Sequence, residues 1–395
     1  MARAERLGPS FDLLAAYDGA RGHLFEHRGI GVGGGPPAAT IDAASPAEVG
    51  ATLRAAAGDV SPIAVGALPF DPASPATLAV AARAVVRTEE DIAWRVDVGS
   101  EGSTAEFERI AAISPHDAFA RPQLTELPGS EAYADAVRAA VARIRAGDLR
   151  KVVLARTIEV APGRRLDPRQ LVLRLRAVDP DAYAFAVPTV RGVLVGASPE
   201  LLLSRRGREI RSNPLAGSAS RSGDPEEDRV LARRLQGSAK DHEEHAIVVD
   251  AVAETLRSFC EELRWDPEPV LLETANVWHL STRFHGVLRE PAPSVLELVA
   301  ALHPTPAVGG APRDAALAAI GELEPFERGR YAGPVGWVDA NGEGDWAIAL
   351  RCAELRPDGA TLYAGAGIVA DSDPTAEVEE TDRKFRAFLD ALRWS

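Results

Sequence analysis

Lysine is nearly absent from this chain. Of its 44 basic residues in 395, only Lys151, Lys240 and Lys384 are lysines. The remaining 41 are arginines. Arginine thus stands wherever a cation merely has to sit on a surface. Lysine differs in being a compact point charge that loses its proton when desolvated. Each lysine is therefore a candidate for chemistry that arginine cannot do. Chance survival on a solvated face is the plainer account of any one of them. Their positions argue otherwise, because each falls in a segment that is informative on other grounds.

Lys151 opens an apolar run, Lys151-Val-Val-Leu-Ala-Arg156. An amine desolvated there suits a general base. Glu200 follows Ser198-Pro199 and precedes three leucines, Leu201 to Leu203. Apolar surroundings raise a carboxyl pKa, which suits a general acid. A base and an acid driven apart by their environments make an acid–base pair.

Further carboxylates sit at the ends of helical apolar stripes. Glu244 lies four residues before Val248, on the face continued by Ala251, Val252, Thr255 and Phe259. Asp241 lies one turn earlier. Glu377, Glu380 and Lys384 share one side of a C-terminal helix that continues into Phe388 and Ala391. The plain alternatives are a rim position for Glu244 and a surface Glu–Lys pair in the last helix. Taken together, the oxygen-only set suits a hard divalent cation such as Mg²⁺. His242-Glu243-Glu244-His245 matches neither H-E-x-x-H nor H-x-x-E-H, so catalytic zinc is not expected. Ser218, in Ala-Gly-Ser-Ala, lacks a nucleophile elbow. Gly365-x-Gly367 after a strand marks a close approach of backbone to another strand or to a ligand carboxylate.

The elements that must carry these groups read as follows. A helix runs from an N-cap at Ser130 to Ala146, with Gly147 as its stop. Strands are expected at 151–156, 191–197, 333–339, 346–353 and 361–369. Asp224-Pro225 starts one helix, Ser238 caps another to about Leu263, and Asp373-Pro374 starts the last, to about Leu392. The formal G-x-G-x-x-G at Gly29, Gly31 and Gly34 runs into Pro36-Pro37 with no helix, so it is read as a loop or hairpin rather than a dinucleotide site. Residues 73–87 are apolar and of undetermined type. Neighbouring strands with helices grouped between them indicate an α+β fold with mainly antiparallel sheets.

Composition sets outer bounds. A net charge of −14 argues against nucleic acid. An anionic small substrate would need a local cation or metal to reverse the field. No run approaches the ~18 apolar residues of a membrane span. No signal peptide is read, and two unpaired cysteines, Cys260 and Cys352, fit a reducing cytoplasm.

Ten segments, in order, resemble the chorismate-utilising enzymes and among them the isochorismate synthases. They are KVVLAR (151–156), GASPELLL (196–203), SNPLAGSASR (212–221), KDHEEHAIVV (240–249), WHLSTRFHG (278–286), LHPTPAVGG (302–310), YAGPVGW (331–337), IALRCA (348–353), AGAGIV (364–369) and SDPTAEVEET (372–381). The resemblance covers residues 126–395, a chorismate-binding core, with 1–125 as a divergent part of the same domain. It implies a single α+β domain of two mainly antiparallel sheets layered with helices, and a Mg²⁺–chorismate site.

By this resemblance, Lys151 activates a water that attacks ring C2. Glu200 protonates the hydroxyl leaving C4, and isochorismate forms reversibly. Glu244, Glu377 and Glu380 match the metal carboxylates, with Asp241 and Lys240 beside them. Arg351 matches the residue that holds the pyruvyl carboxylate, helped by amides around Gly365 and Gly367. Lys384 falls near the ring carboxylate and His279 by the ring. Ala216, Gly217 and Ser218 belong to the substrate-binding strand.

Lys151 stands where anthranilate-type members carry Gln, so no glutamine amidotransferase partner is expected. The His303-Pro304-Thr305-Pro306 element favours isochorismate synthase over the alternative, a salicylate synthase. A non-catalytic chorismate-binding paralogue is a further alternative. Glu243 stands where close relatives are expected to carry His, adding charge beside a metal ligand. A monomer or weak homodimer is expected, with siderophore and menaquinone biosynthesis among the pathways it could serve.

Overall fold

In the computed structural model, residues 2–7, 11–19, 21–43, 45–58, 61–88, 92–98, 123–161 and 166–393 are described. Residues 99–122, within the N-terminal part assigned from sequence, lie outside them. Among the described residues there are three sheets of 12, 9 and 3 strands, every pairing antiparallel. The α+β class is as expected, but the third, smallest sheet is additional. Its strands are Leu215–Ser220, Val277–Ser281 and Val270–Glu273.

The N-terminal strands are built into the two large sheets. His23–His27 pairs with Tyr183–Pro188 in the 12-stranded sheet, and Ile63–Ala67 pairs with Pro334–Asp339 in the 9-stranded one. The glycine-rich stretch forms a hairpin, His23–His27 with Ile30–Gly34. The apolar stretch 73–87 resolves into two strands, Thr77–Ala81 and Arg83–Arg87, one in each large sheet.

Helix Ser130–Ala146 is capped by Gly129 rather than Ser130, whose hydroxyl instead donates to Glu126. It stops where Gly147 takes φ +89°, a conformation side chains rarely tolerate. It buries Tyr133, Val137, Val141 and Ile144. The helix capped by Ser238 ends at Arg257, short of the expected Leu263. Cys260–Trp265 is a strand instead, paired with Phe284–Leu288, and Trp265 stacks on Phe284 at 5.5 Å. That cross-strand aromatic contact outweighs the helical spacing that Phe259 seemed to continue. The final helix, Pro374–Arg393, buries Phe385, Phe388 and Ala391.

Two places where the chain leaves one large sheet for the other position the site. Val193–Ser198 lies in the 12-stranded sheet and Leu201–Arg206 in the 9-stranded sheet, with Pro199-Glu200 between. The expected strand 346–353 is likewise two strands. Gly344–Ile348 lies in the 9-stranded sheet, Cys352–Arg356 in the 12-stranded, and Ala349 to Arg351 cross between them. The two crossings are tied together. Ile348 N–H donates to the Glu200 carbonyl at 3.1 Å, and Ala197 N–H donates to the Arg351 carbonyl at 3.2 Å. Arg351 takes φ +48°, a costly conformation for a non-glycine residue. The packing of both crossings holds it there.

Candidate active site

Beside these crossings lies a cavity of about 290 Å³. Glu200, Ala216, Gly217, Ser218, Asp241, Glu244, His279, Arg351, Gly365, Gly367, Glu377, Glu380 and Lys384 all line it. Lys151 stands behind this lining: its Nζ lies 2.9 Å from Glu244 Oε1, and the side chain is 1% exposed. The resemblance has this amine activate a water; in the structure it faces Glu244, which lines the cavity.

Glu200 is fully buried at its crossing. Desolvation pushes its carboxyl up to about 8, against smaller opposing effects from the Leu215 amide, Lys151 and Lys384. It is therefore mostly protonated at neutral pH, as a general acid must be.

Every lysine in the chain meets one carboxylate of the cavity. Lys151 meets Glu244 at 2.9 Å, Lys240 meets Glu377 at 3.4 Å, and Lys384 meets Glu380 at 2.7 Å. Lys384 also donates to the Gly365 carbonyl at 2.8 Å. Ser218 donates its hydroxyl to Glu380 Oε1 at 3.0 Å. Burial, and next the charge of Glu380, push Glu377 up to about 7. Burial would raise Glu380 too, but Lys384, the Ser218 hydroxyl and Lys240 together outweigh it and the carboxyl stays below its usual range.

Whether these groups suit Mg²⁺ can be judged from their donors. Glu244, Glu377 and Glu380 offer only oxygen, line one cavity and repel one another. Gly367 makes the cradle for Glu244, since a Cβ there would fall 2.2 Å from Glu244 Oε1. Among the described residues, however, no three His, Cys, Asp or Glu side chains are already gathered as a ligand set. Donor type and charge fit magnesium, and each carboxylate is at present turned to a lysine. Glu243 is exposed and does not line the cavity.

Arg351 and His279 form the other wall. Arg351 Nη2 lies 2.9 Å from His279 Nε2. A guanidinium only donates, so Nε2 accepts and the ring is neutral. Desolvation first, then Arg351 and Lys384, hold the imidazole well below its usual range. Arg351 itself is lowered by burial, with Asp179 as its largest opposing charge. A buried guanidinium of this kind is ready for a carboxylate.

Several contributors escape a reading of the sequence. Tyr331 and Tyr363 line the cavity and stack at 4.9 Å. Glu324 and Arg328 form an ion pair in which each side chain is 2% exposed. Glu324 accepts from Ala155 N–H at 2.7 Å, while Arg328 donates to the carbonyls of Val153 at 2.7 Å and Val308 at 2.8 Å. This pair joins the strand that begins at Lys151 to the loop carrying Ala307 and Val308 of the cavity wall. His245 bridges Ala216 O at 3.2 Å and Thr282 Oγ1 at 2.7 Å, tying the Glu244 helix to the small sheet. Its only sequence signal was its place beside Glu244.

Antiparallel sheets meet at a charged, mostly buried cavity whose Arg351 wall suits a small anion. The chorismate binding enzyme family matches residues 77–393, and the chain belongs to that family. The chain is 42% identical to the isochorismate synthase DhbC of Bacillus subtilis over 85% of its own length and 82% of that protein's. It is 39% identical to the isochorismate synthase EntC of Escherichia coli, over 85% and 83%. The crystal structure of DhbC from Bacillus anthracis superposes with a TM-score of 0.85 at 38% identity, covering 97% of this chain and 99% of that one. Among the described residues no helix is long and apolar enough to cross a membrane.

Proposed function

We propose that this protein is an isochorismate synthase that interconverts chorismate and isochorismate with Mg²⁺. The observation that carries the reading is Glu200, a buried carboxyl with a pKa of about 8 lining the same cavity as Arg351 and three paired carboxylates. Relatives named isochorismate synthase at 42% and 39% identity support it.

In this reading Arg351 binds the pyruvyl carboxylate, helped by backbone around Gly365 and Gly367. Lys384 and the strand Ala216-Gly217-Ser218 orient the ring carboxylate, and His279 packs by the ring. Lys151 takes a proton from the water that adds at C2. Glu200 gives a proton to the hydroxyl that leaves C4 as water, and the ring double bonds shift between them. Glu244, Glu377 and Glu380, with Asp241 beside them, would hold Mg²⁺, which offsets the charge of a dianionic substrate. Such an enzyme would stand at the entry to siderophore or menaquinone biosynthesis. Chorismate supplied with Mg²⁺ should give a product of unchanged mass. Release of pyruvate with salicylate would instead mark a salicylate synthase.

A further inference from the structure

The pairing of three lysines with three carboxylates is one-to-one, and it uses every lysine in the chain. The three partners are not equally held. Lys151 is 1% exposed, enclosed behind Glu244. Lys384 is anchored twice, on Glu380 and on the Gly365 carbonyl. Lys240 has a single contact, at 3.4 Å, and its side chain is 38% exposed. It stands in the first turn of the helix Ala239–Arg257, at the rim of the cavity. The charges nearest to it are Glu377, Glu244 and Asp241. It is the most exposed of the three, against 17% for Lys384 and 1% for Lys151.

Resting on the magnesium site proposed above, we propose that Lys240 is a displaceable counter-ion for Glu377. A divalent cation taking that carboxylate turns the ammonium out toward water. Lys240 therefore weakens metal binding and sets the concentration at which the site fills, while keeping the carboxylates neutralised beforehand. The choice of lysine follows from the same argument. A guanidinium would grip Glu377 with two parallel hydrogen bonds and resist displacement. In a chain that otherwise writes arginine, this position calls for the weaker, single-point partner.

Three lysines make the test direct. Protein labelled with ¹³C,¹⁵N-lysine gives three side-chain signals, and Lys240→Gln or Lys240→Arg identifies the relevant one. Titration of the wild-type protein with MgCl₂ should move the Lys240 signal toward that of a free ammonium, in step with binding measured by calorimetry. Lys240→Gln should tighten Mg²⁺ binding roughly twofold to fivefold, the range of a part-exposed ion pair. Lys240→Arg should bind Mg²⁺ more weakly than wild type. If Glu377→Gln abolishes Mg²⁺ binding but the Lys240 signal stays fixed, the metal site stands and the displacement is wrong. Unchanged affinity in Lys240→Gln has the same meaning. If Mg²⁺ neither binds nor moves any lysine signal, the metal reading fails and the displacement falls with it. The wild-type titration is decisive even if one variant does not fold.

Discussion

Replacing Glu200 with Gln removes a proton donor while keeping shape and burial. The structure sets the size of the effect. With a pKa of about 8, roughly nine-tenths of the carboxyl is protonated at pH 7. At the unperturbed value of 4.5 only about three parts in a thousand would be. Desolvation at the crossing thus raises the supply of acid about 300-fold. Because burial raises this pKa, the acid form is present below pH 8 and is lost as pH rises through it. The limb that Glu200 contributes to wild-type turnover should therefore appear above pH 8, as a fall of about tenfold per pH unit. Glu200→Gln should lose about 10²- to 10⁴-fold in kcat and lose that alkaline limb as well. The assay is kcat for chorismate across pH 6–10, for both proteins. A Gln variant with near-wild-type turnover, or one that keeps the same alkaline limb, would refute Glu200 as the acid.

Three further outcomes follow from the same geometry. Lys151→Arg should fold and keep a cation beside Glu244 but be inactive, because a guanidinium cannot accept a proton at working pH; turnover within a few-fold of wild type would remove Lys151 as base. Gly367→Ala would drive a methyl to 2.2 Å from Glu244 Oε1 and should raise the Mg²⁺ concentration needed for half-maximal rate; an unchanged metal requirement would show that Glu244 is not held there. Glu324→Ala leaves Arg328 charged and buried without its counter-charge and should cost about 3–5 kcal/mol in urea unfolding; a loss below about 1 kcal/mol would contradict the bracing role given to the pair.

The sequence exposed the elements with local signals and hid those set by distant partners. Asp224-Pro225, Ser238 and Gly147 marked helix ends correctly because caps and left-handed stops are written in neighbouring residues. The division of 346–353 into two strands was not legible, since Ala349-Leu350 reads as apolar as its flanks. What breaks the strand is the move to another sheet, a tertiary fact. Glu324 and Arg328 follow the end of a helix and carry no local signal of burial, and only the packing around the Lys151 strand buries them. The carboxylates were legible because acids on core-facing stripes are costly unless paired. Of their partners only Lys384 was legible, one turn from Glu380, because Lys151 and Lys240 reach Glu244 and Glu377 from other elements. The placement of Lys151 behind Glu244, rather than open to the cavity, follows from that same unseen pairing.

Product identification by ¹H NMR tests the central claim most directly. Purified protein incubated with chorismate and Mg²⁺ should convert it to isochorismate, stop at an equilibrium mixture, and regenerate chorismate when started from isochorismate. Accumulation of salicylate with pyruvate, or chorismate recovered unchanged, would contradict the account.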